Sequence, residues 1–280
     1  MSLDDLRRDG VTVVPGLFSG ARLEAMAAAA AAAFPPVDAV VADPGDHRLD
    51  DAGLAYRVFP FRDDALNLAP FDDGLLDLAQ AYFGGEPPFL TQALLRASYP
   101  VPASRDQELH RDYTDNGLLF PSDDPRFGQL AVLVYLTDVG PEQAPLHIVR
   151  GAPKRPALPR ARSRADDPDL YEREEPMLGP AGTAAIYTHA AFHRGSRFCA
   201  PDGWRLAMHL VLRPAGCEWI SFTAFGTAFD REPAVRCMVS LTPRQRTALG
   251  VPRPGHPYWT PATIAGVEAR YPGIDMAPYR

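Results

Sequence analysis

From residue 88 onward, short apolar runs alternate with clusters of Pro, Gly and Asp, and this pattern predicts a series of β-strands. The runs span residues 89–99, 130–136, 145–149, 183–187 and 204–212. No stretch of 10–15 residues with a helical period separates them, so a parallel sheet of β-α-β units is disfavoured. The pattern predicts a mainly β protein with flanking helices, arranged as an antiparallel sandwich or jelly roll.

The run at 204–212 alternates most regularly between apolar and other residues. One face of the predicted strand is wholly apolar and consists of Trp204, Leu206, Met208, Leu210 and Leu212. The opposite face is mixed and consists of Arg205, Ala207, His209, Val211 and Arg213. Since successive side chains of a strand point to opposite sides, we expect the apolar face to pack and the mixed face to line a site.

Helices are predicted before the strand region. Ser2 can cap a short helix that ends at Gly10, and the run Val11–Val14 has strand composition. Ser19 begins a second, Ala-rich helix that must end before Pro35. Residues 37–73 are acidic, turn-rich and weakly patterned, and no element is predicted there.

Further helices are predicted at residues 74–83 and, in the C-terminal part, after Thr242 and Thr260. The segment from Thr242 to Gln245 has the residues of a capping box with proline at the first helical position. No repeat or long linker divides the chain, so we expect one domain over residues 1–280. Its parts are a helical N-terminal part, a jelly-roll core and a C-terminal helical extension, at 1–87, 88–225 and 226–280.

Composition narrows the class of partner. The chain is 46% hydrophobic, and 28 basic against 35 acidic residues give a net charge of −7. A core of this size excludes a disordered chain, and the negative charge argues against nucleic acid or an anionic membrane as partner. A small-molecule substrate is therefore expected, while nothing indicates an oligomeric state.

Cysteine usage and the N-terminus indicate the compartment. The three cysteines are widely spaced without a CxxC pair, so neither a disulfide framework nor a structural zinc site is expected. The N-terminus is acidic and lacks the apolar stretch of a secretion signal. The apolar run Ala25–Phe34 is short and Ala-rich for a membrane span. A cytoplasmic protein is expected.

Candidate metal ligands begin with His110-Arg111-Asp112. On an extended segment, residues two apart project from one face, so His110 and Asp112 would point at one spot and could bind one divalent metal. The motif alone carries little information, because a His-x-Asp match of this kind is about as common by chance as not. A solvated loop is the alternative interpretation.

A second histidine far along the chain strengthens the metal interpretation. His193 is followed by Arg205 twelve residues later, and two histidines with one carboxylate is the pattern of non-haem Fe(II) oxygenases. An arginine fork there would suit a dicarboxylate cosubstrate. A zinc hydrolase could use the same ligands but gives no reason for the arginine. His189 is the alternative distal ligand.

Several segments together resemble the phytanoyl-CoA dioxygenase-like family of Fe(II)- and 2-oxoglutarate-dependent oxygenases. The resemblance covers residues 8–213 and rests on an ordered set of motifs. These are DGVTVVPGLF at 9–18, HRD at 110–112, VYLTDV at 134–139, PLHIVRGA at 145–152, GTAAIY at 182–187 and HRGS at 193–196. The last of these places Gly-Ser after His193, as in the family, and so favours His193 over His189.

The resemblance implies a double-stranded β-helix (a jelly roll, cupin-like) that holds one Fe(II) with His110, Asp112 and His193. It also implies that Arg205 binds the C5 carboxylate of 2-oxoglutarate and that O2 is the second cosubstrate. The sequence departs from the family at 150–153 and at Thr183, neither of which is a ligand. Because Asp112 is retained, hydroxylation or a related oxidation is expected rather than halogenation. A jelly-roll protein that binds a metal or ligand without oxygenase activity is the alternative.

Three other residues are candidates for the same pocket. Tyr135 and Gln92 lie on predicted strands that could face the cosubstrate, and ordinary packing is the alternative for each. His209 shares a face with Arg205, and a hydrogen-bonded core histidine is the alternative. Residues 150–175 lack a clear period and carry a basic half and an acidic half. Either the halves neutralise each other, or the segment is a lid that meets an anionic substrate.

Overall fold

A computed structural model describes residues 1–50, 52–111, 124–151, 161–217, 232–256, 259 and 261–280. The strands are β1 (Val11–Val14), β2 (Leu54–Val58), β3 (Pro88–Ser98), β4 (Leu109–His110), β5 (Leu130–Tyr135), β6 (Leu146–Val149), β7 (Ala161–Arg162), β8 (Glu174–Met177), β9 (Ala184–Thr188), β10 (His193–Gly195) and β11 (Arg205–Pro214). The α-helices are Leu3–Asp9, Gly20–Ala33, Val37–Ala42, Asp64–Leu68, Asp73–Tyr82, Pro168–Glu172, Glu232–Ser240, Pro243–Ala248 and Pro261–Arg270. Short 3-10 helices span Pro44–Asp46, Ala69–Phe71, Pro125–Phe127 and Ala277–Tyr279.

The strands form two antiparallel sheets. The first has the order β1-β9-β5-β11-β3-β2, and the second has the order β7-β4-β10-β6-β8. Along the chain, β3, β5, β9 and β11 belong to the first sheet, while β4, β6, β8 and β10 belong to the second. This alternation between two sheets is that of a jelly roll, and it confirms the predicted fold class.

The first sheet separates two layers of apolar packing. Its outer face meets the helices, and Leu206, Met208, Leu210 and Leu212 of β11 are buried there with residues such as Met26. Its inner face meets the second sheet, through residues that include Tyr135, Ala207, Ile148 and Met177. The two faces predicted for residues 204–212 are therefore confirmed.

Several helix ends follow the predicted local chemistry. The Ser2 hydroxyl accepts a hydrogen bond from the Asp5 amide at 3.1 Å, and the helix ends at Gly10, whose φ of 74° is readily adopted by glycine. The second helix ends at Ala33, before Pro35. Thr242 and Gln245 form the predicted capping box. Thr260 lies outside the described residues, although the helix after it is present.

The weakly patterned region 37–73 contains more structure than the sequence predicts. It forms the helices Val37–Ala42 and Asp64–Leu68, and β2 pairs with β3 along its whole length. The expectation of no regular element there was wrong. Main-chain hydrogen bonds to a neighbouring strand can hold an edge strand whose own side chains show no clean alternation.

Residues 20–42 form one segment that is long and apolar enough to cross a membrane, by length and composition. The segment consists of two helices with Phe34–Pro36 between them. A core helix of a soluble protein can pass the same test, and Met26 and Ala30 are buried against the first sheet and its helices. The segment is therefore weak evidence for a membrane span.

Candidate active site

Two of the predicted metal ligands lie side by side in the second sheet. His110 of β4 pairs directly with His193 of β10. Their imidazole ring centroids are 4.6 Å apart, and the ring planes are inclined by 50°. His189 does not take part in this pairing, and its Nδ1 accepts a hydrogen bond from the Gln129 amide instead. Residues 83 positions apart in the chain thus meet because their strands are neighbours.

The hydrogen bonds of the two histidines indicate their tautomers. His110 Nδ1 lies 2.8 Å from the carbonyl oxygen of Glu108, and His193 Nδ1 lies 3.1 Å from that of Ala191. A carbonyl oxygen only accepts, so each Nδ1 carries the proton and each Nε2 carries the lone pair. Histidines that bind metals are commonly oriented by such a bond.

Backbone contacts hold both short strands in place. The Tyr171 hydroxyl accepts a hydrogen bond from the Leu109 amide at 3.0 Å and donates one to the Arg162 carbonyl at 2.8 Å. Gln107 bonds Gly195 twice: its side-chain Oε1 accepts from the Gly195 amide, and its own amide donates to the Gly195 carbonyl. These contacts fix the residues on either side of the histidine pair.

The pair opens into a cavity of about 210 Å³ between the two sheets. Its lining includes His110, His193, His209, Tyr187, Arg96 and Arg205. Within the described part of the chain, the lining holds arginines and histidines but neither Asp nor Glu. A cavity with this charge is suited to anionic ligands.

Arg205 begins β11 and lies almost wholly inside the protein, with 4% of its surface exposed. Its Nη1 donates to the Ala144 carbonyl, while its Nε is buried and has no hydrogen-bond partner among the described residues. Ser98 of β3 is the register partner of Arg205, and its hydroxyl is likewise buried with no partner in the described ranges. Burial lowers the pKa of Arg205 to about 10, and the charge of Arg96 adds to that effect.

A second polar group lies one step further along the same strands. Arg96 Nη2 contacts His209 Nδ1 at 3.2 Å, and His209 Nε2 lies 3.4 Å from the Tyr187 hydroxyl. A guanidinium only donates, so Nδ1 of His209 accepts and the ring is neutral. The Tyr187 ring in turn lies 4.6 Å from the ring of His193. His209 is therefore both part of the cavity wall and hydrogen-bonded.

Two further predicted site residues, Tyr135 and Gln92, lie outside the cavity wall. The Tyr135 hydroxyl donates to the Met177 carbonyl and accepts from the Leu146 amide, so it bridges the two sheets. Gln92 lies on the same strand as Arg96, opposite Val211, and neither Gln92 nor Tyr135 belongs to the cavity wall. Asp112 lies outside the described residues. Within the described residues, no three His, Cys, Asp or Glu side chains cluster to hold a metal.

Arg96, Ser98 and Tyr187 are site residues that the sequence reasoning missed. A signal was available, because Arg96 and Ser98 are two apart within the predicted strand 89–99 and share a face by strand periodicity. They pair with Ala207 and Arg205, respectively. The mixed face already identified on β11 thus continues onto β3.

A family model for phytanoyl-CoA dioxygenases (PhyH) matches residues 6–205. The chain belongs to the phytanoyl-CoA dioxygenase family. Enzymes of this family depend on Fe(II) and 2-oxoglutarate and use O2. The chain thus belongs to a family of Fe(II)/2-oxoglutarate-dependent oxygenases.

Individual proteins are more distant. Dioxygenase easH of Epichloe festucae var. lolii is 29% identical over 114 residues, which are 41% of this chain and 58% of that protein. The chain therefore spans less than two thirds of that relative's length.

Two solved structures show a similar fold. The epimerase SnoN in complex with Fe3+, alpha-ketoglutarate and nogalamycin RO aligns with a TM-score of 0.58 at 17% identity, over 76% of this chain and 82% of that one. HygX from Streptomyces hygroscopicus with nickel, 2-oxoglutarate and hygromycin B bound aligns with a TM-score of 0.56 at 19% identity, over 76% and 86%. At these identities the similarity shows a shared fold.

Proposed function

We propose that this oxygenase hydroxylates or otherwise oxidises a small-molecule substrate while 2-oxoglutarate is converted to succinate and CO2. The observation that carries the proposal is the direct pairing of His110 with His193 in a cationic cavity. In a hydroxylation, one oxygen atom of O2 would enter the substrate and the other succinate. In another two-electron oxidation, the substrate would lose two hydrogens and the second oxygen atom would leave as water.

His110, Asp112 and His193 are proposed to hold Fe(II). The Nδ1–H group of each described histidine donates a hydrogen bond to a backbone carbonyl, so the Nε2 lone pair points away from that bond. Two neutral imidazoles and one carboxylate suit Fe(II) and leave positions for other ligands. The bound iron supplies the activation of O2. The protein's own contribution is to hold the imidazoles in one orientation and to keep the site between two sheets.

Arg205 is proposed to bind the C5 carboxylate of 2-oxoglutarate. Its Nε and the Ser98 hydroxyl are adjacent, buried and without partners, and a carboxylate accepts from both. The carboxylate of such a bidentate pair would also supply the negative charge that the described part of the cavity wall lacks. Tyr135 and Gln92 stay predictions as cosubstrate residues. The hydroxyl bonds of Tyr135 favour a role in packing the sheets.

The broader expectations fit this proposal. We infer a single domain over residues 1–280, because Cys237, Leu241 and Ala248 of the C-terminal part join the same core as the strands of the first sheet. A cytoplasmic location without a nucleic-acid or membrane partner remains the proposal from composition. A binding protein without turnover and a zinc hydrolase are the alternatives, and neither would form succinate.

The test combines iron binding with 2-oxoglutarate turnover. Anaerobic titration is expected to show one Fe(II) per chain, and His110→Ala or Asp112→Ala removes most of this binding because two ligands hold the metal poorly. Arg205→Lys is expected to raise the 2-oxoglutarate requirement at least tenfold with iron binding retained, because an ammonium cannot form the bidentate pair.

The matched control is Arg213→Lys, at the far end of the same strand. Arg213 donates to the Pro214 carbonyl and stacks on Phe89, outside the cavity wall. The 2-oxoglutarate requirement of the Arg213→Lys variant is expected to equal that of the wild type. Unaltered iron affinity in both ligand variants, or the larger effect in Arg213→Lys, contradicts the proposed assignment.

A further inference from the structure

The cavity contains more positive charge than one cosubstrate accounts for. Arg96 and Arg205 both line it, and neither forms an ion pair within the described part of the chain. Arg205 is buried and Arg96 is half-buried. Withdrawing an arginine from water without an opposite charge is costly, so such a pair favours the binding of an anion.

A third arginine of the wall, Arg105, is exposed to solvent. Under the proposed function, 2-oxoglutarate compensates only one of the other two, Arg96 and Arg205. Its C5 carboxylate pairs with Arg205, and its other end, with the second carboxylate, belongs to the iron. Arg96 lies one step of about 7 Å along the strand from Ser98, which is the register partner of Arg205. The positive charge of Arg96 is therefore available to pair with a second anionic ligand.

Among the described residues, Arg96 contacts uncharged groups. Its guanidinium lies 5.7 Å from the ring centroid of Tyr56 and donates to the neutral His209. Its Nε is buried, and no described residue forms a hydrogen bond with it. The nearby acid Asp50 is exposed and accepts from the Tyr56 hydroxyl at 2.7 Å, and it is not part of the cavity wall. Tyr56 and His209 thus orient the guanidinium without neutralising it.

We propose that Arg96 binds an acidic group of the primary substrate, so that the enzyme oxidises small organic acids that carry a carboxylate. This inference rests on the proposed function and names its substrate class. Arg96 acts here as a specificity-determining residue. A carboxylate placed at Arg96 sits beside His209 and Tyr187, and the ring of Tyr187 contacts that of His193. The rest of such a substrate would therefore lie next to the histidine pair.

The experiment measures the charge preference of the second ligand. Anaerobic protein loaded with Fe(II) and saturated with 2-oxoglutarate is titrated calorimetrically with hexanoate and with its neutral analogue hexanamide. The wild-type protein is expected to bind hexanoate at least tenfold more tightly, which corresponds to about 1.4 kcal/mol. Arg96→Gln is expected to bring the two affinities within about twofold, with the 2-oxoglutarate affinity unchanged.

Two further variants separate charge from folding and from position. Arg96→Lys keeps the positive charge and is expected to retain part of the hexanoate preference. Arg57→Gln removes an exposed arginine of β2 that does not belong to the cavity wall, and it is expected to leave the preference intact. Thermal unfolding of each variant verifies that the fold is retained.

Three results would overturn the proposal: equal affinities in the wild type, a preference that survives Arg96→Gln, or a 2-oxoglutarate affinity that falls tenfold in Arg96→Gln. The last result would assign Arg96 to the cosubstrate. If the wild type binds no 2-oxoglutarate, the proposed function fails. The titrations without cosubstrate then decide the anion site separately.

Discussion

Two buried arginines of the jelly roll have opposite surroundings. Arg194 and Arg205 expose 6% and 4% of their surfaces, so both have left water to the same degree. Arg194 of the second sheet donates to Glu174 at 2.6 and 2.8 Å and to Asp106 at 2.7 Å. Within the described residues, the guanidinium of Arg205 in the first sheet has a backbone carbonyl, that of Ala144, as its only hydrogen-bond partner.

The pKa values follow this difference in partners. Burial lowers the pKa of Arg194, but the hydrogen bonds and charge of Glu174 outweigh burial and raise it overall. For Arg205 burial is not offset, and its pKa falls to about 10. Removing one partner of a buried ion pair leaves an uncompensated charge and is strongly destabilising. We therefore expect Arg194 to be a structural residue, whereas Arg205 is the proposed ligand-binding residue.

The largest expected effect is on stability at Arg194. Glu174→Gln should lower the free energy of unfolding by about 3 kcal/mol at pH 7, because it leaves Arg194 buried with only the more exposed Asp106. Urea denaturation measures the change. The control is Glu175→Gln, which breaks the exposed pair with Arg150 and should cost less than about 1 kcal/mol. Equal losses of stability in Glu174→Gln and Glu175→Gln would contradict the distinction between the buried and the exposed ion pair.

Lowering the pH should remove the stabilisation that the Glu174–Arg194 ion pair provides. Burial raises the pKa of Glu174, but Arg194 overcomes this and holds it below the ordinary 4.5, with His147 and Arg164 also facing the carboxylate. A lowered folded pKa gives stability that is present above pH 4.5 and lost as the pH falls through the folded value. The difference between wild type and Glu174→Gln should therefore shrink below pH 4.5. Denaturation curves at a series of pH values measure this difference, and one that stays constant would argue against the ion pair as its source.

The smallest expected effect on stability is at Arg205. Arg205→Leu in the ligand-free protein should change the free energy of unfolding by less than about 1 kcal/mol, because no acid loses its partner. Mn(II) and 2-oxoglutarate are expected to raise the Tm of the wild type, and the same variant should lose this rise. A loss of stability as large as that of Glu174→Gln would make Arg205 a structural residue.

The sequence predicted local features well, but it predicted poorly which charged residues distant in the sequence form ion pairs. The alternation at residues 204–212 predicted both faces of β11, and the charge segregation at 150–175 included the pairing of opposite halves. Arg150 does pair with Glu175, and Arg164 with Glu174. The lid hypothesis for that segment stays a prediction, because Arg160 lies outside the described residues. The main partner of Glu174 is instead Arg194, which no local pattern could indicate.

The candidate site shows the same division. His110, His193 and Arg205 were identified from residue types, order and family resemblance. Arg96 and Ser98 were missed because their importance depends on the strand neighbours that they acquire in the first sheet. The region 37–73 was misjudged because β2 is held by main-chain bonds to β3.

The sequence by itself determined the strand periods, the helix ends and the residue types that iron and a dicarboxylate require, because these depend on neighbours within a few positions. Only the tertiary structure decided that His110 meets His193, that Arg194 finds its acids and that no described acid pairs with Arg96 or Arg205. Strand order and register bring together residues more than a hundred positions apart, so they determine which charges the described part of the chain neutralises and which ones we propose a ligand neutralises.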